Sequence, residues 1–325
     1  MELHSLGGYR LIEPVPVLNT VTRLYRAKPE GAPEDAPATQ LAKILMPGEG
    51  DEHRMLKAQF AHEANLMRSF SHTGIPSLRA AGTQDGVDFF VMDYVDGVDL
   101  AVLLGHESGE PISLTKELAV YLLGQLANVL HYVHTFEVPR AEDDDTSEDE
   151  FEVIQVLHRD ICPANVYLSV DGDVVLGDFG SASSNWLPAE LTSPEAGHVA
   201  YKAPERVTGS GTATVKSDLF SLAVILWEIL RGERCFVAGN ELETMDAIVR
   251  FDISHSSRRV SGLSSKLSEV LRRNLDRDPG RRYDDAYRVL QRLSQSPEAQ
   301  SAESSREELA ALVQRAVASR GAVKP

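Results

Sequence analysis

Leu157-His158-Arg159-Asp160-Ile161-Cys162-Pro163-Ala164-Asn165, with Asp178-Phe179-Gly180 downstream, is the stretch on which the reading of this 325-residue chain turns. Asp160 is a carboxylate able to accept a proton from a hydroxyl, and Asn165, five residues on, offers an amide oxygen from the same loop. Asp178 adds a further hard oxygen, and Asp with Asn is a donor set that suits Mg2+. Phosphoryl transfer asks a protein for a carboxylate near the attacking hydroxyl, oxygen ligands for Mg2+ and a cation on the nucleotide phosphates.

The cation is found upstream. The spacing predicts paired strands over residues 9–17 and 21–27, a Pro/Gly-rich connector over 29–37, and a third strand around 41–46 that carries Lys43. A helix is expected over 53–69, where Leu56, Phe60, Glu63 and Met67 recur at spacings of four, three and four and share one face. Glu63 therefore points where the apolar residues point, and a carboxylate on a buried stripe needs a partner. Lys43 is the first candidate. Two more strands follow, joined at Asp85-Gly86, a dipeptide suited to positive φ.

Downstream the pattern turns helical. Leu118, Leu122, Leu126, Val129 and Val133 form one stripe, and residues 217–231 are apolar nearly all round, as expected of a helix buried at a lobe centre. Between them, residues 165–169 and 174–177 read as a hairpin around Asp171-Gly172. Near the end, Ser305-Arg306-Glu307-Glu308 fits a capping box, opening a helix whose apolar face is Leu309, Leu312, Val313 and Ala316.

Composition narrows the partners. A net charge of −17 disfavours general binding to nucleic acid or anionic membranes. Eight of the twelve residues from Ala141 to Glu152 are acidic, which reads as a solvated, mobile loop or a docking segment for a basic partner. The longest apolar stretch, Leu219 to Leu230, is broken by Ser221 and Glu228 and falls short of the roughly 20 residues of a membrane span. Cys162 and Cys235 give no disulfide framework and no metal-ligand spacing, and no secretory signal is visible, so a cytoplasmic location is expected.

In their order along the chain these features resemble the eukaryotic-type protein kinase family, and most of all its bacterial Ser/Thr members, over about residues 9–293. The resemblance implies an α+β, two-lobed fold. A small strand-rich N-lobe with one helix would span 1–95 and a larger, mainly helical C-lobe 96–293, followed by a linker and an amphipathic helix over 294–325. It implies ATP and Mg2+, with Lys43 on the α/β-phosphates, Glu63 paired to it, Asp160 accepting the hydroxyl proton, and Asn165 and Asp178 holding the metal. ATP would also meet Val17, Leu24, Leu41, the gatekeeper Met92 and the hinge from Asp93 to Val95. Glu205, in Ala203-Pro204-Glu205, would pair with Arg282; Asp218 would brace the catalytic loop; Met67, Leu78, His158 and Phe179, the last followed by Gly180, would stack as a spine. Arg159 would face a phosphorylated activation segment in which Ser181, Ser183, Ser184, Thr192 and Ser193 are candidates, and Pro163 favours Ser/Thr specificity.

The chain also departs from the family pattern. The three glycine positions of the phosphate-covering loop fall at Val17, Asn19 and Thr22, which weakens or reshapes close backbone approach to phosphates. Leu41 replaces a small Ala and would crowd the adenine. Where Ser/Thr members carry a linked Lys and Thr, this chain has Cys162 and His198. His198 reads either as a substitute cation near the phosphate or as a packed or solvent-facing imidazole, and Cys162 as a reactive thiol if its pKa is lowered. Two functions stay open: a Ser/Thr protein kinase with atypical or low activity, or a pseudokinase serving as a nucleotide-binding or scaffold module. The protein substrate is not specified by the sequence, and partners are expected at the acidic insert or the terminal helix.

Overall fold

The computed structural model describes residues 4–16, 21–106, 111–139, 151–193, 196–255 and 260–322. Val17, Asn19 and residues 141–150 of the acidic insert, all singled out above, lie outside the described residues. The chain divides into two compact units, Met1–Asp96 with Leu187–Thr192, and Gly97–Trp186 with Ser193–Pro325.

The first unit is built on β1 (Ser5–Leu6), β2 (Tyr9–Val15), β3 (Thr22–Pro29), β4 (Gln40–Leu45), β5 (Leu78–Gln84) and β6 (Val87–Asp93). They form one sheet in the order β1-β2-β3-β4-β6-β5, antiparallel throughout. Asp85 and Gly86 join β5 to β6 with φ of 51° and 78°, the geometry of a two-residue hairpin turn. Strand side chains alternate between faces. Ala42, Ile44, Phe89 and Val91 bury one face with Leu6, Ala27 and Val87. Leu45 and Phe90 bury the other against α1 (Gly50–Ser69) through Phe60, Ala64 and Met67. The alternation puts Leu41 and Lys43 on that second face. The helix opens three residues before the expected start, with Asp51 and Glu52 in its first turn, where the helix dipole favours carboxylates.

The second unit begins with β7 (Gly97–Asp99), α2 (Leu100–Leu103) and α3 (Lys116–His134), the last capped by Thr115 Oγ1, which accepts from Leu118 N at 3.1 Å. All five residues of the predicted stripe on α3 are buried. β8 (Glu137–Pro139) pairs with β9 (Phe151–Val153), so Phe151 and Glu152, the last two residues of the acidic insert, belong to a strand. β10 (Val166–Ser169) and β11 (Val174–Leu176) form the expected hairpin, extended by β7 into a sheet of order β11-β10-β7. Then follow α4 (Pro204–Val207), α5 (Val215–Arg231), α6 (Glu241–Val249), α7 (Ser265–Asn274), α8 (Ala286–Ser294) and α9 (Ala302–Ala322). On α5, every residue from Ser217 to Ile229 is buried.

The terminal helix corrects one expectation. It starts at Ala302, and Ser301 Oγ, not Ser305, takes the capping bond, from Ser304 N at 3.2 Å. Ser305 lies four residues before Leu309 on the same stripe and is 1% exposed, so the buried face runs one turn further back than the capping pattern suggested. Leu309, Leu312, Val313 and Ala316 are all buried, with α9 lying against α3, β7 and β10. Arg306–Asp173 at 2.8 Å and Gln314 Nε2 donating to Val170 O at 2.9 Å tie its flanks to the hairpin. The apolar face of the terminal helix, where a partner was expected, is thus packed on the chain's own second unit. Among the described residues no helix is long and apolar enough to cross a membrane.

Candidate active site

In the strand-rich unit, β4 presents Lys43 toward α1, and the stripe on α1 presents Glu63 back. Lys43 Nζ donates to both Glu63 oxygens at 2.9 Å. The Glu63 side chain is 2% exposed, so its burial is tolerated only with this cation beside it. Leu24 stands opposite Lys43 in the β3–β4 register, and Leu41 opposite Met92 in β4–β6. Leu41 and Met92 are half-buried side by side on the Lys43 face, where Leu41 adds bulk next to the lysine. The Asp93 carboxylate is taken by Arg79 through two bonds of 2.6 Å, and Asp93 N and Tyr94 N donate to Ser77 O and Thr39 O at 3.0 Å. Val95 follows, half-buried. Met67 and Leu78 pack in one cluster with Phe60 and Phe90.

In the helical unit, Asp218 at the start of α5 organises the loop that opened the sequence reading. Its carboxylate accepts from His158 N, Arg159 N and His134 Nε2, each at 2.9 Å. Full burial alone would raise this acid, but the His134 hydrogen bond and the neighbouring imidazoles hold it below the ordinary range. The two amide bonds pin Arg159 at φ 69°, a left-handed backbone that a non-glycine residue adopts only when its surroundings impose it. His158 accepts from Asp160 N on Nδ1 at 3.3 Å, which leaves Nε2–H to donate to Gly177 O at 3.1 Å. Its ring lies 4.7 Å from that of Phe179, which is fully buried.

Asn165 then fixes the acid. Its Nδ2 donates to Asp160 O at 2.8 Å and to Asp160 Oδ2 at 3.1 Å. With both amide hydrogens so used, Oδ1 is the atom left for a cation. Gly177 N donates to Asn165 O at 3.0 Å, which ties the hairpin exit to the loop just before Asp178. Asp178 stands at φ 56°, its Oδ1 accepting from Gly180 N at 3.4 Å. Asn165 and Asp178 thus offer only hard oxygens, a chemistry that fits Mg2+.

The other Asp160 oxygen is claimed by His198. Asp160 Oδ1 accepts from His198 N and from His198 Nδ1, both at 2.8 Å, and the same Nδ1 lies 3.4 Å from Cys162 Sγ. The linked departures at 162 and 198 therefore meet in space. The Asp160 hydrogen bond, helped by Cys162, pushes His198 up to about 11. Burial alone would raise Asp160, yet the bonds and charge of His198 outweigh it and hold the carboxyl below its ordinary range. Cys162 goes the other way: burial pushes its thiol up, opposite to the lowering that a reactive thiol requires.

Glu205 and Arg282 make the expected pair, with Arg282 Nη1 and Nη2 donating to the two carboxylate oxygens at 2.8 Å. Ser217 Oγ adds a bond to Glu205 at 2.9 Å, and Arg282 spends its other donors on the carbonyls of Lys216, Asp276 and Arg277. Arg159 is buried, its Nη2 donating to Ser193 O in the segment that the resemblance assigns to activation. In that segment Ser183 bridges to Leu157, Ser184 Oγ accepts from Trp186 N at 3.1 Å, Thr192 Oγ1 donates to Pro188 O at 3.4 Å, and Ser181 sits in the turn after Phe179.

Three residues escaped the sequence reading. His134 looked like the last turn of an apolar helix, with no local sign of its reach to Asp218. Arg206 donates to Arg159 O at 2.8 Å and Ala196 O at 2.7 Å, clamping the loop to the segment. Gly197, at φ 95°, passes so near that a Cβ there would collide with the Arg159 carbonyl. Its place directly before His198 was the one available signal.

A model of the protein kinase domain matches residues 42–293. The chain belongs to the protein kinase family. Its α+β, two-lobed fold class is thereby shown, and family membership implies ATP together with a divalent metal. Serine/threonine-protein kinase PknJ of Mycobacterium tuberculosis is 30% identical over 261 residues, covering 78% of this chain and 40% of the relative. Serine/threonine-protein kinase PknB of Mycolicibacterium smegmatis is 28% identical over 250 residues, 75% and 36% of the two chains. Tyrosine-protein kinase MasK of Myxococcus xanthus is 27% identical over 225 residues, 69% and 33%. The chain spans at most 40% of the length of these curated relatives.

Proposed function

We propose that this chain is a serine/threonine protein kinase that transfers the ATP γ-phosphate to protein hydroxyls with Mg2+. The observation that carries the reading is the setting of Asp160, a buried carboxylate kept below its ordinary range by His198 and aimed by Asn165 Nδ2 and His198. In this reading Asp160 accepts the hydroxyl proton, Asn165 and Asp178 hold the metal, and Lys43, steadied by Glu63, holds the nucleotide phosphates. Mg2+ supplies neutralisation of phosphate charge when bound. Leu24, Leu41, Met92 and the backbone from Asp93 to Val95 meet the adenine, and Val17, outside the described residues, is assigned to ATP from sequence alone. Pro163 and the names of PknJ and PknB support Ser/Thr over Tyr acceptors. The domain limits 1–95, 96–293 and 294–325 belong to this proposal, as does a reducing, cytoplasmic setting, which the free thiols of Cys162 and Cys235 support. A basic protein surface is the partner we assign to the acidic insert.

One observation favours the pseudokinase reading. Both Asp160 oxygens are engaged, Oδ2 by Asn165 and Oδ1 twice by His198, so a hydroxyl must displace or share one of them. The experiment is incorporation of labelled γ-phosphate into protein, beside Asp160→Ala and Asp178→Asn. The kinase reading expects loss of about 10²-fold or more in Asp160→Ala; a wild-type signal equal to both variants sinks it. A Mg·ATP-dependent melting shift without transfer would then establish the scaffold.

A further inference from the structure

Cys162 and His198 carry more than a replacement for two family residues. The Cys162 Sγ, His198 Nδ1 and Asp160 Oδ1 atoms all lie within 4.8 Å of one another. The nitrogen sits between the other two, 3.4 Å from the sulfur and 2.8 Å from the oxygen. With Zn–S near 2.3 Å and Zn–N or Zn–O near 2.1 Å, a tetrahedral ion needs edges of about 3.6 Å and about 3.4 Å between such donors. The sulfur–nitrogen edge is nearly there, and a small swing of the imidazole opens the nitrogen–oxygen edge. The His198 ring has room to swing once its bond to Asp160 is given up, because its side chain is 53% exposed while Asp160 and Cys162 are held in the buried loop. The exposed ring also gives the ion its path in.

The donor chemistry selects the metal. A thiolate with an imidazole suits a borderline-soft ion such as Zn2+, whereas Mg2+ prefers the all-oxygen pair Asn165 and Asp178. We propose that Asp160, Cys162 and His198 form a Zn2+ site that, when filled, withdraws Asp160 from catalysis. On binding, the thiol proton and the His198 Nδ1 proton leave to solvent, and Zn–S, Zn–N and Zn–O bonds replace the S–H bond and the imidazole–carboxylate hydrogen bond. Three protein ligands leave the fourth position for water. Metal binding stands on the geometry alone; the inhibitory consequence rests on the kinase reading.

The test uses the metal-free full chain and Co2+ as the probe. One Co2+ per chain is expected to give a thiolate-to-cobalt charge-transfer band, displaced by one equivalent of Zn2+ and untouched by excess Mg2+. Cys162→Ser is expected to abolish the band and Cys235→Ser to retain it, with circular dichroism confirming that each variant folds. No band in the wild type, or a band that survives Cys162→Ser, overturns the site. Should Cys162→Ser fail to fold, His198→Ala decides: affinity lowered about tenfold or more supports the site, and unchanged affinity overturns it. In a second arm, Zn2+ is titrated into the Mg2+-supported transfer reaction. Inhibition over the range in which the band is displaced supports the withdrawal of Asp160, and unaltered transfer with the site filled overturns it. A chain that transfers no phosphate at all refutes the kinase reading while leaving the cobalt measurement interpretable.

Discussion

At the scale of single residues, the chemistry of the loop is governed by who holds Asp160. His198 has its folded pKa raised to about 11, so its stabilising contact is complete below about 6.5 and is lost as pH climbs through 11. Asp160 is depressed, so its contribution is present above the ordinary carboxylate value and is lost as pH falls through the folded one. The pair therefore holds across neutral pH. In His198→Ala, burial is left to dominate Asp160, and the acid limb of the pH–rate profile is expected to move toward neutrality. The lost charge-assisted bond, about 1.5–3 kcal/mol, predicts a fall in kcat of roughly 10–100-fold. An unshifted acid limb in that profile would contradict the assignment. Arg282 is governed by the same rule at a structural pair. Arg282→Ala strands a buried Glu205, and urea unfolding should show a loss of about 3–5 kcal/mol.

Elements decide what those residues can reach. Helix α1 carries Glu63 in its buried stripe, and beside it His62, whose Nε2 has no hydrogen-bond partner among the described residues and whose pKa burial pushes down to about 4. A histidine lowered from 6.5 is stabilising while neutral, so the contribution is full above about 6.5 and is lost as pH falls through 4. His62→Leu should flatten the decline in unfolding free energy between pH 6.5 and 4, seen in urea titrations across that range. Helix α9 makes a second element-scale prediction. Leu309 is fully buried under it, and Leu309→Ala should cost about 2–5 kcal/mol, measured by the same titration at pH 7. A value near zero would mean the helix does not stay packed on α3. The capping pattern at Ser305 misled because a small residue at the start of a buried stripe reads as a boundary in sequence, while packing carries the helix one turn further.

Across the whole molecule, the net charge of −17 works against compactness through self-repulsion. Raising NaCl from about 0.05 to 0.5 M shortens the screening length severalfold and is expected to raise Tm; a falling Tm would show that specific ion pairs outweigh the net field. The sequence alone determined the fold class, because its motifs, from Lys43 through Leu157–Asn165 to Arg282, follow one another in the order that carries the resemblance to the protein kinase family. The period of α1 also showed that Glu63 needs a buried partner and made Lys43 the first candidate, which the resemblance then named. Only tertiary structure decided that His134 meets Asp218, that Arg206 clamps Arg159, that Gly197 must lack a side chain, and that α9 is covered. It alone decided that one imidazole nitrogen serves both Asp160 and Cys162. Local periodicity fixes which face a side chain takes, but contacts between residues tens of positions apart depend on how the elements pack. That packing is set by the summed burial of the core, which no short stretch of sequence displays.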